Sequence, residues 1–505
     1  MSSSSIVAGN AKPGVGWADV ALAGLLIAVF LFFAARDISP APYGSDEADY
    51  MYVTSLGFLA NYTDTPSRSV LEMVRSARHF GLSEGRRVDV SEFARSSDDV
   101  NFYRHWHGPL YFYWLVLASS WLHSAQSLRG ASLVFPVLTF LVVYGGCLWL
   151  LPRRQARVSG CLAGALFLWS YPIVGSADVG PHTIFALCYL LSLVLAAKAF
   201  ASERRVYWYG AVAAAGLAYC TVGVAFVLVF TLMVLGVLEQ RSLAVDWRLA
   251  RNSAMVFAAT VLVAWPGAIL KLSSLKTYMI MAYHSLFRHG SWGQVTFGET
   301  WSIRFHDSPA EWLLLAVAVA LYLVRRDLPN RRLYLPFLAF GSFMLLTTLR
   351  MNTDVPRYLI PFLPALNVFT GLTFGGWLTG RAAWIRGAAT VGLCAVLFAN
   401  TGRALLMHPP QPDPRPASML ASIAAEGLQT KSVLVPQTDI PVIHYYFPHS
   451  RLRGYLEEGA IPAEFSRGAF DAVLYPGYPV RIVLTARQAA PSSAPTGVPA
   501  TREGK

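Results

Sequence analysis

The chain has 505 residues, 54% of them hydrophobic and only 14% charged, where a soluble domain carries roughly 25% charged residues. Apolar runs of about 17 to 23 residues recur along it, each long enough to cross a hydrocarbon core about 30 Å thick. This composition excludes an ordinary cytosolic enzyme and implies a polytopic membrane protein. The formal charge of +12 does not point to nucleic acid, because most cations fall in short loops between apolar runs, where they set topology.

The first run, about Val20 to Ala35, follows a weakly basic tail containing Lys12 and lacks a convincing small-residue cleavage site. It reads as a retained first span, with a cleaved signal peptide as the alternative. Five arginine-rich loops should face the cytoplasm: Arg153, Arg154 and Arg157; Arg204 and Arg205; Arg241, Arg248 and Arg251; Arg325, Arg326, Arg331 and Arg332; Arg381 and Arg386. With the N-terminus inside, they predict spans near 17–36, 129–151, 158–176, 183–201, 207–220, 221–238, 253–270, 311–325, 333–349, 358–378 and 387–405, about eleven crossings that leave the C-terminus outside. The apolar stretch from Gly108 to Trp121 would turn the Arg153 loop outward if it crossed. It is therefore expected to lie in the outer interface, with Tyr111, Tyr113, Trp114 and Trp121 at headgroup depth.

The domain plan that follows has a disordered cytoplasmic tail at 1–16 and a transmembrane domain at 17–406. That domain includes an outer loop, 37–107, with juxtamembrane helices. A small periplasmic α/β domain is expected at 407–490, and a disordered Pro-, Ser-, Ala- and Gly-rich tail at 491–505. The α/β domain opens on the proline-rich stretch His408 to Pro416, which stops the last span. A helix is expected over Ala417–Leu428, with β-like runs at Ser432–Pro436, Val442–Phe447, Ala472–Tyr475 and Val480–Thr485. All five cysteines (Cys147, Cys161, Cys188, Cys220, Cys394) lie in apolar segments without a CxxC pair, so neither disulfides nor a cysteine zinc site are expected.

Chemistry should be sought in the outer segments, Asp37–His107, about Lys271–Ala310 and the tail. The first of these opens with Ser45-Asp46-Glu47-Ala48-Asp49-Tyr50-Met51-Tyr52. If Ser45 caps a helix, Asp46 and Glu47 occupy its first turn, and Asp46, Asp49, Tyr50 and Val53 share a face. Acids there complement the helix dipole, which alone would account for them; their nearness to a span points to a catalytic base. The loop ends in His105-Trp106-His107-Gly108-Pro109, where a helix N-terminus favours an anion such as phosphate; metal ligation or interfacial hydrogen bonding are the other options. Asp178 closes the third span in Gly175-Ser-Ala-Asp178-Val-Gly-Pro181-His182 and is either a functional acid at membrane depth or a helix cap. The second outer loop offers His284, Arg288, His289 and His306 for phosphate contact or as solvated residues. Arg357, in Asn352-Thr-Asp354-Val-Pro-Arg357-Tyr358, opposes the dipole of the helix it begins. It therefore calls for an anion, Asp354 or a phosphate, unless it snorkels to lipid headgroups. No GxGxxG, P-loop, HExxH or GxSxG motif stands at a suitable junction, so nucleotide binding is unsupported.

The order of these elements resembles the GT-C glycosyltransferases, closest to the branch of protein O-mannosyltransferases and lipid A aminoarabinose transferases. The resemblance runs over about residues 17 to 400. It implies a GT-C fold in which Asp46 is the catalytic base, His107 stands in the loop-end motif with Gly108 replacing a proline, Asp178 is the second acid, and Arg357 and Tyr358 form the late Arg-Tyr element. One departure is the family's frequent Lys-Gly after a Gly-Leu-Ala stretch, which here reads Gly216-Leu-Ala-Tyr-Cys-Thr-Val222-Gly223.

The resemblance further implies an inverting glycosyltransferase that moves a sugar from a polyprenyl-phosphate donor to a lipid, glycan or protein hydroxyl. The catalytic set would be Asp46, Glu47 and Asp178. The donor would be held by His105, His107, Arg288, Arg357 and Tyr358. Glu47 or Asp178 could orient the acceptor or hold a divalent metal with a histidine, although no ligand spacing demands one. The rivals are a flippase or transporter of lipid-linked sugars, which would place ionisable residues at mid-bilayer, and a polysaccharide polymerase or ligase, with its large outer loop in the second half. The excess of arginine over lysine and the high alanine content suit a high-GC bacterium. The threading of the spans, with the candidate residues on the outer face, leads to the expectation of a multi-pass inner-membrane protein with a periplasmic active site.

Overall fold

A computed structural model describes residues 16–36, 38–55, 57–58, 107–175, 178–239, 246–266, 290–291, 295–348, 351–352, 355–408, 413–455, 458–462 and 470–485. The tail beyond 490 lies outside these residues, as does most of the 1–16 segment and of the first outer loop. The chain divides into two units, one of residues 1–40 and 53–411, the other of 41–52 and 412–505. The division falls inside the helix Ser45–Ser55. The larger unit thus lacks the opening of the outer loop that the sequence assigned to it.

In the larger unit a helix stands at each predicted span: Trp17–Ala34, Val134–Leu150, Arg153–Leu168, His182–Ser202, Arg205–Tyr219, Phe226–Glu239, Trp247–Ala264, Pro309–Val324, Leu335–Thr348, Leu363–Thr379 and Ala383–Met407. Four stretches among the described residues are long and apolar enough to cross a membrane, Trp17–Ala34, Ala125–Leu150, His182–Ser202 and Ala383–Met407. The bent pair Phe297–Asp307 and Pro309–Val324 makes a fifth if taken as one broken span. Length and composition therefore support four or five crossings among the described residues, at fewer places than the eleven predicted. The Leu110–Ser119 helix has 10 residues and reaches only about 15 Å, half of a hydrocarbon core.

Leu363–Thr379 is buried along nearly its whole length and lies against Arg153–Leu168. A Cβ at Gly371 would run into the backbone of Ala163, and one at Gly375 into Ser159. Glycines four apart thus let the two backbones approach closely, and dispersion contact replaces the hydrophobic drive that lipid cannot supply. Asn367 adds a buried hydrogen bond, its Nδ2 donating to the Leu166 carbonyl at 2.9 Å. At the arginine-rich end, Gln155 Nε2 donates to the Tyr334 hydroxyl at 2.8 Å and Asn330 Nδ2 donates to Gln155 Oε1 at 3.0 Å. The buried Asp19 takes Arg157, whose Nε lies 2.6 Å from Oδ1. All five cysteines are free.

The smaller unit holds a four-stranded sheet in the order 451–455, 432–436, 472–475, 481–484, with the last strand antiparallel and the others parallel. Leu434, Tyr455, Ile461, Phe470 and Val473 form its core, and the helix Pro414–Ala425 precedes the first strand. The run at Val442–Phe447, expected as a strand, is instead within and just after the helix Ile440–Tyr446. Parallel neighbours cannot be joined by a hairpin, so the link from 432–436 to 451–455 has to be a crossover, and Pro441 starts it as a helix. The second parallel partner is Arg451–Tyr455, whose burial alternates at a sheet edge and whose polar residues conceal it in the sequence.

Candidate active site

The Arg357 side chain is positioned by a single helical turn, Pro356–Leu359, that precedes Leu363–Thr379. Tyr189 pins this turn by donating its hydroxyl to the Ile360 carbonyl at 2.9 Å. On the facing element, Asp178 precedes Pro181, where the helix His182–Ser202 begins. Arg357 Nη1 donates to Asp178 Oδ2 at 3.0 Å. The anion that the arginine required is therefore Asp178, 179 positions away. Asp354, the local candidate, lies outside the described residues.

Around this pair the rings converge. The Arg357 guanidinium lies 5.5 Å from the centre of the Tyr358 ring. His182 stands edge-on to Tyr358 at 5.8 Å and to His107 at 6.2 Å. Both histidines are buried, and the His182 Nδ1 has no hydrogen-bond partner among the described residues. Leaving such an atom unsatisfied costs about 1–3 kcal/mol, which a polar ligand would recover. The sequence had His182 only as the start of a helix. Its signal was position, one residue after Pro181 and four after the acid.

His107 is held by its neighbour. Gly108 N donates to the Thr221 carbonyl at 3.0 Å and Leu110 N to that of Cys220 at 3.1 Å. A Cβ at position 108 would overlap the Cys220 carbonyl, so glycine is required for this approach. The segment where the family's lysine is missing thus forms the backbone seat of the His107 turn.

The remaining candidate acids belong to the smaller unit. The Ser45–Ser55 helix starts with Ser45 already helical. The Gly44 carbonyl accepts from Ala48 N at 2.8 Å, and Glu47 reaches back to accept from Gly44 N at 3.3 Å. Glu47 therefore does the local work of a first-turn acid. Asp46 is half-buried. Asp49, which the sequence placed only as a face partner, is 5% exposed. Burial pushes its carboxyl well above the ordinary range, and the charge of Asp46 pushes in the same direction. Within the same unit Tyr43 N donates to the Tyr446 hydroxyl at 3.0 Å, and Tyr52 meets His444 edge-on at 4.5 Å. The acidic helix is thereby built into the C-terminal unit.

The structure thus gathers His107, Asp178, Arg357 and Tyr358 in one unit and carries Asp46 and Glu47 in the other. His105, Arg288, His284 and His289 lie outside the described residues. His306 is exposed, but it stands in the last turn of the helix Phe297–Asp307 and not in the loop the sequence suggested. No three His, Cys, Asp or Glu side chains among the described residues converge on a metal-sized point.

The helical architecture is similar to solved structures of the GT-C type that the order of motifs implied, a likeness of fold. ArnT from Cupriavidus metallidurans bound to undecaprenyl phosphate shares it with a TM-score of 0.55 at 16% identity, over 90% of this chain and 88% of that one. Its apo form gives 0.52 at 16% identity over 89% of each chain. No protein-family model and no curated protein matches the chain.

Proposed function

We propose that this chain is an inverting glycosyltransferase, moving a sugar from a polyprenyl-phosphate donor to a lipid, glycan or protein hydroxyl at the periplasmic face of a bacterial inner membrane. The observation that carries this reading is the Arg357–Asp178 pair beside the buried His107 and His182, in a fold found elsewhere bound to undecaprenyl phosphate. In the proposed reaction Asp46 removes the acceptor proton as the acceptor oxygen bonds to the anomeric carbon. The bond from that carbon to the donor phosphate breaks, and polyprenyl phosphate leaves with the electron pair.

Arg357 and His107, with His105 and Arg288, would hold the departing phosphate through charge-assisted hydrogen bonds. Asp178 fixes the guanidinium in place, Tyr358 flanks it, and Glu47 orients the acceptor through the helix it caps. Base catalysis supplies about 10²–10⁴-fold, so positioning and phosphate stabilisation have to provide most of the rate. The test is to incubate purified protein with labelled polyprenyl-phosphate sugars and a lipid or peptide acceptor. Label covalently joined to the acceptor is the expected result. Label that only crosses a proteoliposome membrane, still on its lipid, would overturn the reading in favour of a flippase.

A further inference from the structure

A large feature outside the candidate active site lies in the larger unit, along the helices Trp17–Ala34, Arg153–Leu168 and Ala383–Met407. It is an open groove of about 1030 Å³. Its walls are apolar: Leu22, Leu25 and Leu26 on one helix, and Val391, Ala395 and Phe398 on another. It extends from Arg153 to Trp169, about 24 Å along the helix axis, which exceeds the roughly 15 Å depth of one leaflet's hydrocarbon.

Its mouth is cationic. Arg153, Arg154, Arg157 and Arg386 line it, and the carboxylate among them is that of Asp19, which binds Arg157 at 2.6 Å and approaches Arg153 at 3.6 Å. Arg386 donates to the carbonyls of Arg381 and Thr379, at 2.7 and 3.4 Å. Arg154 makes no ion pair or hydrogen bond among the described residues. Among the described residues, four guanidiniums against one carboxylate leave three positive charges at the head of an apolar channel. Topology requires arginines at this end of the spans, but not that two helices bring four of them to one groove.

From this charge complementarity we infer that the groove seats one anionic glycerophospholipid of the adjoining leaflet, its phosphate at Arg153, Arg154 and Arg386 and an acyl chain between Leu25 and Phe398. A basic pocket between spans is the form such headgroup sites take. The inference is independent of the transfer reaction, because none of these residues belongs to the candidate active site.

The test is native mass spectrometry of the full chain titrated with phosphatidylglycerol, phosphatidylcholine and undecaprenyl phosphate in parallel. The wild type is expected to retain phosphatidylglycerol preferentially. Arg153→Gln with Arg154→Gln, which spares the Arg157–Asp19 pair, should weaken that retention on the order of tenfold. Gly387→Phe should abolish it by filling the groove, since a Cβ at Gly387 meets nothing within 4 Å. Equal retention of phosphatidylglycerol and phosphatidylcholine by the wild type would overturn the inference. So would unchanged phosphatidylglycerol retention in either folded variant, or undecaprenyl phosphate binding that the Arg153 and Arg154 substitutions weaken while phosphatidylglycerol binding stays as it was. A dimer that Gly387→Phe dissociates would assign the groove to a second copy instead. If both variants fail to fold, the wild-type competition decides alone.

Discussion

Arg357 and Asp178 meet at 3.0 Å although 179 positions separate them, and the pair keeps 16% and 28% of its side-chain surface open. An ion pair left partly open in this way is accessible to an anion in the same cavity. Arg357→Ala should lower single-turnover sugar transfer by about 10²–10³-fold, the usual loss for one preorganised charge-stabilising donor. If Asp178 acts by holding Arg357, the double variant with Asp178→Ala will be little worse than Arg357→Ala. Fully additive losses would instead give Asp178 a separate task.

Asp46→Asn should abolish transfer while expression and melting temperature stay near wild type. The substitution keeps shape and removes only the proton-accepting charge. Wild-type turnover by this variant would remove Asp46 from the mechanism.

His182→Phe preserves a ring against His107 and Tyr358 and deletes the unpartnered nitrogen. Exchanging an unsatisfied polar group for an apolar one of similar shape is neutral or stabilising, so thermal stability should hold or rise. Transfer should fall by about 10²-fold, in the range for one lost hydrogen-bonding group at a site of developing charge. Loss of both properties would show that His182 is structural only.

Asp49 makes a pH prediction whose sign follows from burial. Its native carboxyl holds the proton at pH values where the unfolded chain, with its ordinary value of 3.8, has released it. The stabilisation this gives is complete below that ordinary value and is lost as pH rises through the raised native one. Asp49→Asn should therefore raise the neutral-pH melting temperature and flatten its decline with pH, as read by thermal scans at several pH values. A variant with the wild-type profile would contradict this.

Gly371→Leu drives a side chain into the Ala163 backbone, where no rotamer change relieves it. Destabilisation of at least about 1–3 kcal/mol is expected, visible as a lower denaturation midpoint. Leucine at Gly392, with nothing within 4 Å of its Cβ position, is the tolerated control.

The membrane class, the positions of the eleven helices and the stop at the proline-rich linker were all legible in the sequence. Each rests on local properties: apolar run length, arginine clustering and the fixed geometry of proline. Asp178 and Arg357 could be singled out for a related reason, since ionisable groups at span ends stand out against apolar neighbours, whereas Tyr358 came only with the family resemblance. Only the tertiary structure decided that Arg357 takes Asp178 rather than a local acid, that His182 joins His107, and that Asp49 is buried. The same holds for the assignment of Ala41–Tyr52 to the C-terminal unit and for the crossover helix at Ile440–Tyr446. These outcomes depend on which faces and strands meet in space, and burial between separate elements leaves no periodic trace in either one alone.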